Sequence, residues 1–254
     1  MCPKPRRPLI QIKAAAAPRY KHLRVPQAAI KVQEFLRNLP LFRELTGEEV
    51  DRIAAGTHQV RAPAGTIIFR RGEFCTGFHV VVYGQVKLAF SGTDGAEKVV
   101  EILGPGQSFG EAVMFLDKPY LVYSETLSDS LLLSIGKNAI FNEIERNPRF
   151  SRKMIGGLAQ RLHRVISDLE AYSLKSGTQR VIGYLLRDAH EEDQAPMQLD
   201  VELATSKGVL ASRLNITREH FSRILHELSE EGLIQVRGRT IHILDVAKLR
   251  GFHP

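Results

Sequence analysis

The sequence predicts an α+β chain in three parts: a glycine-punctuated β-roll, one long helix, and a small helical domain closed by a hairpin. Three observations predict it. Short β-rich runs such as "GTIIFRRGE", "GFHVVVYGQVKLAF", "EKVVEILGPG" and "DSLLLSIG" are broken by glycines, the pattern of a β-roll or sandwich. Ile155, Leu158, Leu162, Val165, Leu169 and Tyr172 then recur in steps of three and four, the seam of a paired helix. Finally, "SKGVLASRL", "NI" and "TREHFSRILHELSEEG" precede "LIQVRGRTIHIL", which reads as helix, turn, helix and hairpin.

Residues 1–30 form a basic extension read as disordered. Lys4, Arg6, Arg7, Lys13, Arg19, Lys21 and Arg24 sit there with no acid, so this segment carries the whole +7 net charge. A Pro- and Ala-rich segment of that kind has too little apolar surface to fold by itself. Residues 31–147 form the β-roll domain. A helix around Lys31–Asn38 opens it, and in "TGEEVDRIAA" Thr46 and Glu49 have capping-box spacing. The long helix follows within 148–176, from about Arg149 to Leu174. Its 3/4 stripe is narrow, as a dimer seam requires. Residues 177–254 form the last domain, with a helix near Thr178–Ala189, an acidic "HEEDQAP" loop, a helix capped by Ser206, and a second capped by Thr217 and stopped by Gly232. Gly238 turns the hairpin. The order is that of a winged helix-turn-helix.

That second helix buries Phe221, Ile224, Leu225 and Leu228 at i, i+3, i+4, i+7. Its other face presents Arg218, Glu219, Ser222 and Arg223 in the first two turns. Reading helices contact base edges through such N-terminal residues. Arg bonds guanine O6 and N7, Glu accepts from cytosine N4, and Ser bonds several edges. Lys207, Arg213, Arg237 and Arg239 flank the helix and are expected to hold backbone phosphates. Total charge does not help, because residues 177–254 hold ten Lys/Arg and eleven Asp/Glu.

Joined in this order, the parts resemble the cyclic-AMP receptor/fumarate-nitrate reduction regulator (CRP/FNR) family. The motifs that carry the resemblance are "RRGE", "VVYGQVKL", "GQSFGE", "QRLHRVISDLE" and "TREHFSRILHELSEEGLI". It implies a homodimeric transcription regulator, typically an activator, that binds palindromic DNA and recruits RNA polymerase. By the same resemblance, Glu219, Ser222 and Arg223 favour a site like TTGAT-N4-ATCAA, while Arg218 leaves room for readout closer to TGTGA. The cyclic-nucleotide cassette keeps Gly110 and Glu111. The positions that grip the phosphate in members binding cyclic AMP hold Leu121 and Val122 here, and the purine-contacting positions hold Val165 and Ile166. An unpaired phosphate against Leu and Val is costly, so the resemblance implies an apolar effector pocket without cyclic AMP.

The iron-sulfur branch does not match, since Cys2 and Cys75 are the only cysteines. "EAVMFLDKP" and "LEAYSLKSGTQRVIGYLL" look most like the nitric-oxide-responsive denitrification regulators (the Dnr-type branch). That likeness points to haem b as a candidate cofactor, with His163, His79 and His22 as candidate ligands. Covalent attachment is excluded by the lack of CxxCH.

Two other readings compete. The pocket could be a filled core, giving a constitutive regulator or one sensing through Cys75. "GQSFG" matches the G-x-S-x-G of a serine hydrolase around Ser108, but it lacks the alternating βα context that motif needs. No apolar run reaches the ~18 residues of a membrane span. The N-terminus has no secretory pattern, so a cytoplasmic protein is expected, and the regulator resemblance implies that it is not an enzyme.

Overall fold

The computed structural model describes residues 30–92, 96–187 and 197–252. Helices α1 (Val32–Asn38) and α2 (Gly47–Ala55) lead in. The capping box forms as the spacing requires: Thr46 accepts from the Glu49 amide, and the Glu49 carboxylate accepts from the Thr46 amide.

Two four-stranded antiparallel sheets follow. One has the order β1 (Thr57–Ala62), β8 (Ser130–Gly136), β3 (Gly77–Tyr83), β6 (Ser108–Phe109). The other has the order β2 (Ile67–Phe69), β7 (Tyr123–Thr126), β4 (Val86–Ser91), β5 (Glu97–Leu103). Alternation along β3 splits its side chains between two cores. Phe78 and Val80 pack towards the helices, and Val81 packs into the roll with Phe69, Leu103 and Phe109. Gly84 turns with φ +87°, and a Cβ there would lie 2.6 Å from the Asp129 carbonyl oxygen, so only glycine suits that turn.

Two helices close the domain. The first, α3 (Glu111–Leu116), starts at Gly110 with φ +98°. The second, α4 (Lys137–Arg146), was not legible in the sequence. It is held by Arg52 of α2, which donates to both oxygens of the buried Glu143 at 3.0 and 3.1 Å.

The long helix α5 runs from Pro148 to Leu174, about 40 Å at 1.5 Å per residue. Asn147 caps it and Pro148 occupies its first turn. Gly156 and Gly157 lie in its interior, where each costs ~0.5–1 kcal/mol relative to Ala.

The last domain contains α6 (Gly177–Leu185), β9 (Leu199–Glu202), α7 (Lys207–Arg213), α8 (Arg218–Glu230), β10 (Ile234–Arg237), β11 (Thr240–Ile243) and α9 (Val246–Arg250). The caps at Ser206 and Thr217 form, and Gly238 turns the hairpin with φ +61°. Helix α6 ends earlier than its pattern indicated. Strand β9 makes the wing three-stranded by pairing with β11; its run of four residues was too short to read. The acidic loop and Gly95 lie outside the described residues, as does the basic extension apart from Ile30. No described helix is long and apolar enough to cross a membrane.

Candidate functional site

On α8, Phe221, Ile224, Leu225 and Leu228 are buried in the core of the last domain. That fixes the rotation of the helix and leaves Arg218, Glu219, Ser222 and Arg223 exposed together on its N-terminal half. None of the four forms an ion pair among the described residues, so the i, i+4 pair Glu219–Arg223 is open. Four cations were expected around them. Arg237 is exposed on the wing and Lys207 half-buried at the start of α7. Arg239 is exposed too, but its guanidinium donates to the carbonyls of Leu203 and Ala204 at 2.9 and 3.0 Å.

Arg213 departs from its expected role. It pairs with Asp168 of α5 at 2.6 Å and also bonds the Tyr172 hydroxyl, so it faces the long helix instead of an open surface. Tyr172, expected in the seam, is half-buried in the same contact and donates to the Arg213 carbonyl at 2.6 Å. A 3/4 row wraps slowly around a straight helix, and its last member has rotated onto the domain.

Ser212 extends this contact to the sheet edge. Its hydroxyl accepts from the Val99 amide at 2.9 Å and donates to the Glu97 carbonyl at 3.1 Å. Lys98 donates to the Ser212 carbonyl and lies 5.0 Å from the Tyr172 ring centre. Burial, then the nearby Arg213 and Arg180, lower the Lys98 pKa to about 8. The C-terminal domain thus docks on β5, an edge strand.

The rest of the row divides likewise. Ile155, Leu162 and Leu169 are 64%, 61% and 64% exposed, with Val165 and Ile166 at 56%. Leu158 is half-buried and lines a cleft against the β-roll.

The roll interior is filled with rings. Phe69 stacks on Tyr120 with centroids 3.6 Å apart, and His79 lies 6.2 Å from Phe69 and 5.2 Å from Phe109. Cys75 closes the cluster, accepting from the Tyr120 hydroxyl at 3.1 Å and donating to the Gly77 carbonyl at 2.9 Å. Burial raises the Tyr120 pKa, with the Cys75 bond the next cause.

The cassette positions do not gather into a pocket wall. Leu121 is 67% exposed, because its short connection before β7 faces outward. Val122 packs on the core inside the roll, while Val165 and Ile166 face away on α5. Gly110 starts α3, and Glu111 beside it is buried. Glu111 is spoken for: Arg161 of α5 donates to it at 3.2 Å, to Glu101 at 2.5 Å and to the Ser108 carbonyl at 3.0 Å. Sequence reasoning missed Arg161. Its only signal was a charge within the row of the long helix.

The cleft beside α5 measures about 760 Å³. One side is apolar, with Leu39, Phe42, Val80, Leu103 and Met154. On α5, Arg149, Arg152, Lys153, Gly156, Gly157, Gln160 and Arg164 follow the 3/4 steps of one broad face along it.

Haem fits these residues poorly. His79 is one corner of a packed three-ring cluster with Phe69 and Phe109, away from the cleft, and its Nδ1 finds no protein partner. Burial lowers its pKa to about 4. His163 is exposed on α5 and does not line the cleft. His22 lies outside the described residues. No group of three metal-binding side chains occurs among the described residues. Ser108 opens the two-residue strand β6, and the turn from that strand into α3 is made by Gly110 and not by the serine.

The profile of the cyclic nucleotide-binding domain matches residues 59–147, and that of the Crp-like helix-turn-helix domain matches residues 179–252. The Cyclic AMP receptor protein of Thermus thermophilus is 27% identical over 84% of this chain and 96% of its own. DNR from Pseudomonas aeruginosa is 31% identical, covering 89% of this chain and all of its own, with a TM-score of 0.48. FixK2 from Bradyrhizobium japonicum shares the fold at 18% identity and a TM-score of 0.65, over 77% of this chain and 96% of its own. These relatives are regulators, not enzymes, and their helix-turn-helix class binds DNA as dimers. With both domains in the family's order around one long helix, the chain belongs to the CRP/FNR family of DNA-binding transcription regulators.

Proposed function

We propose that this regulator works as a homodimer through α5, that each protomer reads half of a palindromic site through Arg218, Glu219, Ser222 and Arg223, and that cyclic AMP does not control it. One observation carries the reading: Ile155, Leu162 and Leu169 form an apolar row that stays more than 60% exposed on the single chain. A row of that length left in water is disfavoured by roughly 1.5–3 kcal/mol per side chain, and a second copy of the helix covers it with matching spacing. Independence from cyclic AMP is supported by the ring-filled interior, by Leu121 and Val122 at the phosphate positions, and by the Arg161–Glu111 pair. Recruitment of RNA polymerase enters only through the family likeness. Control by haem b and nitric oxide, which the Dnr-type likeness raised, has weaker support, since neither His79 nor His163 offers an axial ligand to the cleft.

The test replaces Leu162 and Leu169 with Lys. Sedimentation should then report monomers, and binding to TTGAT-N4-ATCAA should be lost. Wild-type protein that sediments as a monomer at micromolar concentration overturns the dimer. Calorimetric binding of cyclic AMP at micromolar concentration overturns the second half.

A further inference from the structure

The exposed face of α8 continues past Arg223. In an α-helix, positions three and four residues on lie on the same face one turn further. His226 follows Arg223 by three and Ser222 by four, and it points away from the buried Phe221, Ile224, Leu225 and Leu228. Its side chain is 73% exposed. At 1.5 Å per residue it lies about 12 Å along the axis from Arg218, and the major groove is about that wide. Residues at the start of such a helix reach base edges. One standing a groove's width further along the same face meets the sugar-phosphate wall.

Charge changes sign at this residue. Beyond Arg223 the helix carries no Lys or Arg, while Glu227, Glu230 and the capping Glu231 are exposed at its end. Carboxylates are disfavoured at the negative end of a helix, and beside DNA they repel phosphate. Glu230 lies 3.3 Å from Nε2 of His226. The elements packed on α8 reach its buried side through Val181, Leu210 and Ile234, and they carry Arg180, Tyr184, Lys207, Arg213 and Arg237. Arg213 is held by Asp168, Arg180 lies over the Tyr172 ring, and Arg237 donates to Gln235. On its own face His226 is bracketed by Arg223, Glu227 and Glu230. A neutral imidazole has one N–H for the two anions, Glu230 and phosphate, that would meet it; an imidazolium has two.

We infer that His226 is a proton-dependent contact to the DNA backbone, so that binding of the operator takes up a proton at each protomer. As imidazolium, its Nε2–H holds Glu230 and its Nδ1–H donates to a phosphate oxygen. The proton thereby lets the acidic end of the helix lie beside the duplex. Histidine changes charge between pH 5 and 8, so the contact is complete at the acid end of that range and is lost as pH rises. The inference rests on the proposed role of α8 as the reading helix.

The test measures affinity of the full chain for a TTGAT-N4-ATCAA duplex by fluorescence anisotropy, at fixed ionic strength from pH 6 to pH 8. His79, with its pKa of about 4, is silent in that range. Wild type should bind about tenfold more weakly at pH 8 than at pH 6. His226→Gln should bind weakly throughout, with little dependence on pH. His226→Lys, charged at every pH of the series, should bind tightly throughout and be equally flat. Arg223→Ala should keep the pH dependence while its base preference relaxes. Failure of the reading helix therefore shows in the base preferences, and failure of this inference in the pH profile. Wild-type affinity that does not change with pH overturns the contact. A profile in His226→Gln as steep as in wild type overturns it too, and moves the titration to another histidine, such as His220 on α8 or His242 on the wing.

Discussion

Arg161 on the long helix reaches the Glu111 carboxylate of the β-roll at 3.2 Å, fifty residues back in the chain. In the same fork it holds Glu101 and the Ser108 carbonyl. The acid that the cassette retains is thereby matched from within the chain, and α5 is pinned to the roll at mid-length.

Arg161→Ala should therefore destabilise the protein. It leaves Glu111, whose side chain is 9% exposed, without its cation. Removing one partner of a fully buried pair costs ~3–5 kcal/mol; with Arg161 itself 22% exposed, about 1–3 kcal/mol is expected after solvent screening. Urea denaturation measures it as a lower midpoint at unchanged slope. An unchanged midpoint contradicts the assignment.

Stability should fall on acidification through His79. Its ring is neutral in the fold, with a pKa of about 4 against 6.5 in the open chain. Between those values the unfolded chain binds the proton and the fold does not, so stability rises with pH there and is lost as pH drops from 6.5 towards 4. The loss is at most ~1.4 kcal/mol per pH unit, ~3 kcal/mol in all. In His79→Phe, which keeps the ring stack, denaturation midpoints between pH 6.5 and 4 should depend less on pH than in wild type. Equal slopes count against the assignment.

The two kinds of DNA contact should separate by mutation. Arg223→Ala should relax preference at one base pair by ~1–3 kcal/mol. Arg237→Ala should weaken all sequences alike and flatten the salt slope by about one. Arg239 is a poorer probe of phosphate, since it also ties down the carbonyls of Leu203 and Ala204. Binding to a set of single-base variants at several salt concentrations reads both. Unaltered base preference in Arg223→Ala would falsify the reading role.

Docking of the C-terminal domain should be measurable at one amide. Ser212→Ala removes the acceptor of the Val99 N–H and the donor to the Glu97 carbonyl. Hydrogen exchange at Val99 should quicken by about tenfold, the worth of a ~1.4 kcal/mol loss of local protection. Exchange as slow as in wild type means that Ser212 is not what shields it.

What the sequence disclosed follows a physical division. The caps at Thr46, Ser206 and Thr217 and the buried face of α8 depend on residues at most a few turns apart, and periodicity exposes them. The same periodicity revealed that α5 has an apolar row, but not what would face each member. Hence Tyr172 and Leu158 were read into the seam, although one meets Arg213 and the other lines the cleft. The partners of Arg161 and Ser212 lie fifty residues or more away, where no local spacing points. Leu121 and Val122 raised the expectation of a pocket without a phosphate clamp, but the rings packed inside the roll come from four different segments that no local spacing joins.

Strand β5 is the outermost strand of its sheet, and α7 lies along it with Ser212 answering one amide and one carbonyl of that margin. Such a margin, once bare, is a template on which another chain can add a strand. The C-terminal domain is thus a guard on the sheet as well as a reader of DNA. Without that domain in place, β5 would present its unpaired amides and carbonyls to any neighbouring chain. Charged side chains also stand along that margin at Glu97, Lys98 and Glu101, the residues that discourage strand addition at an edge.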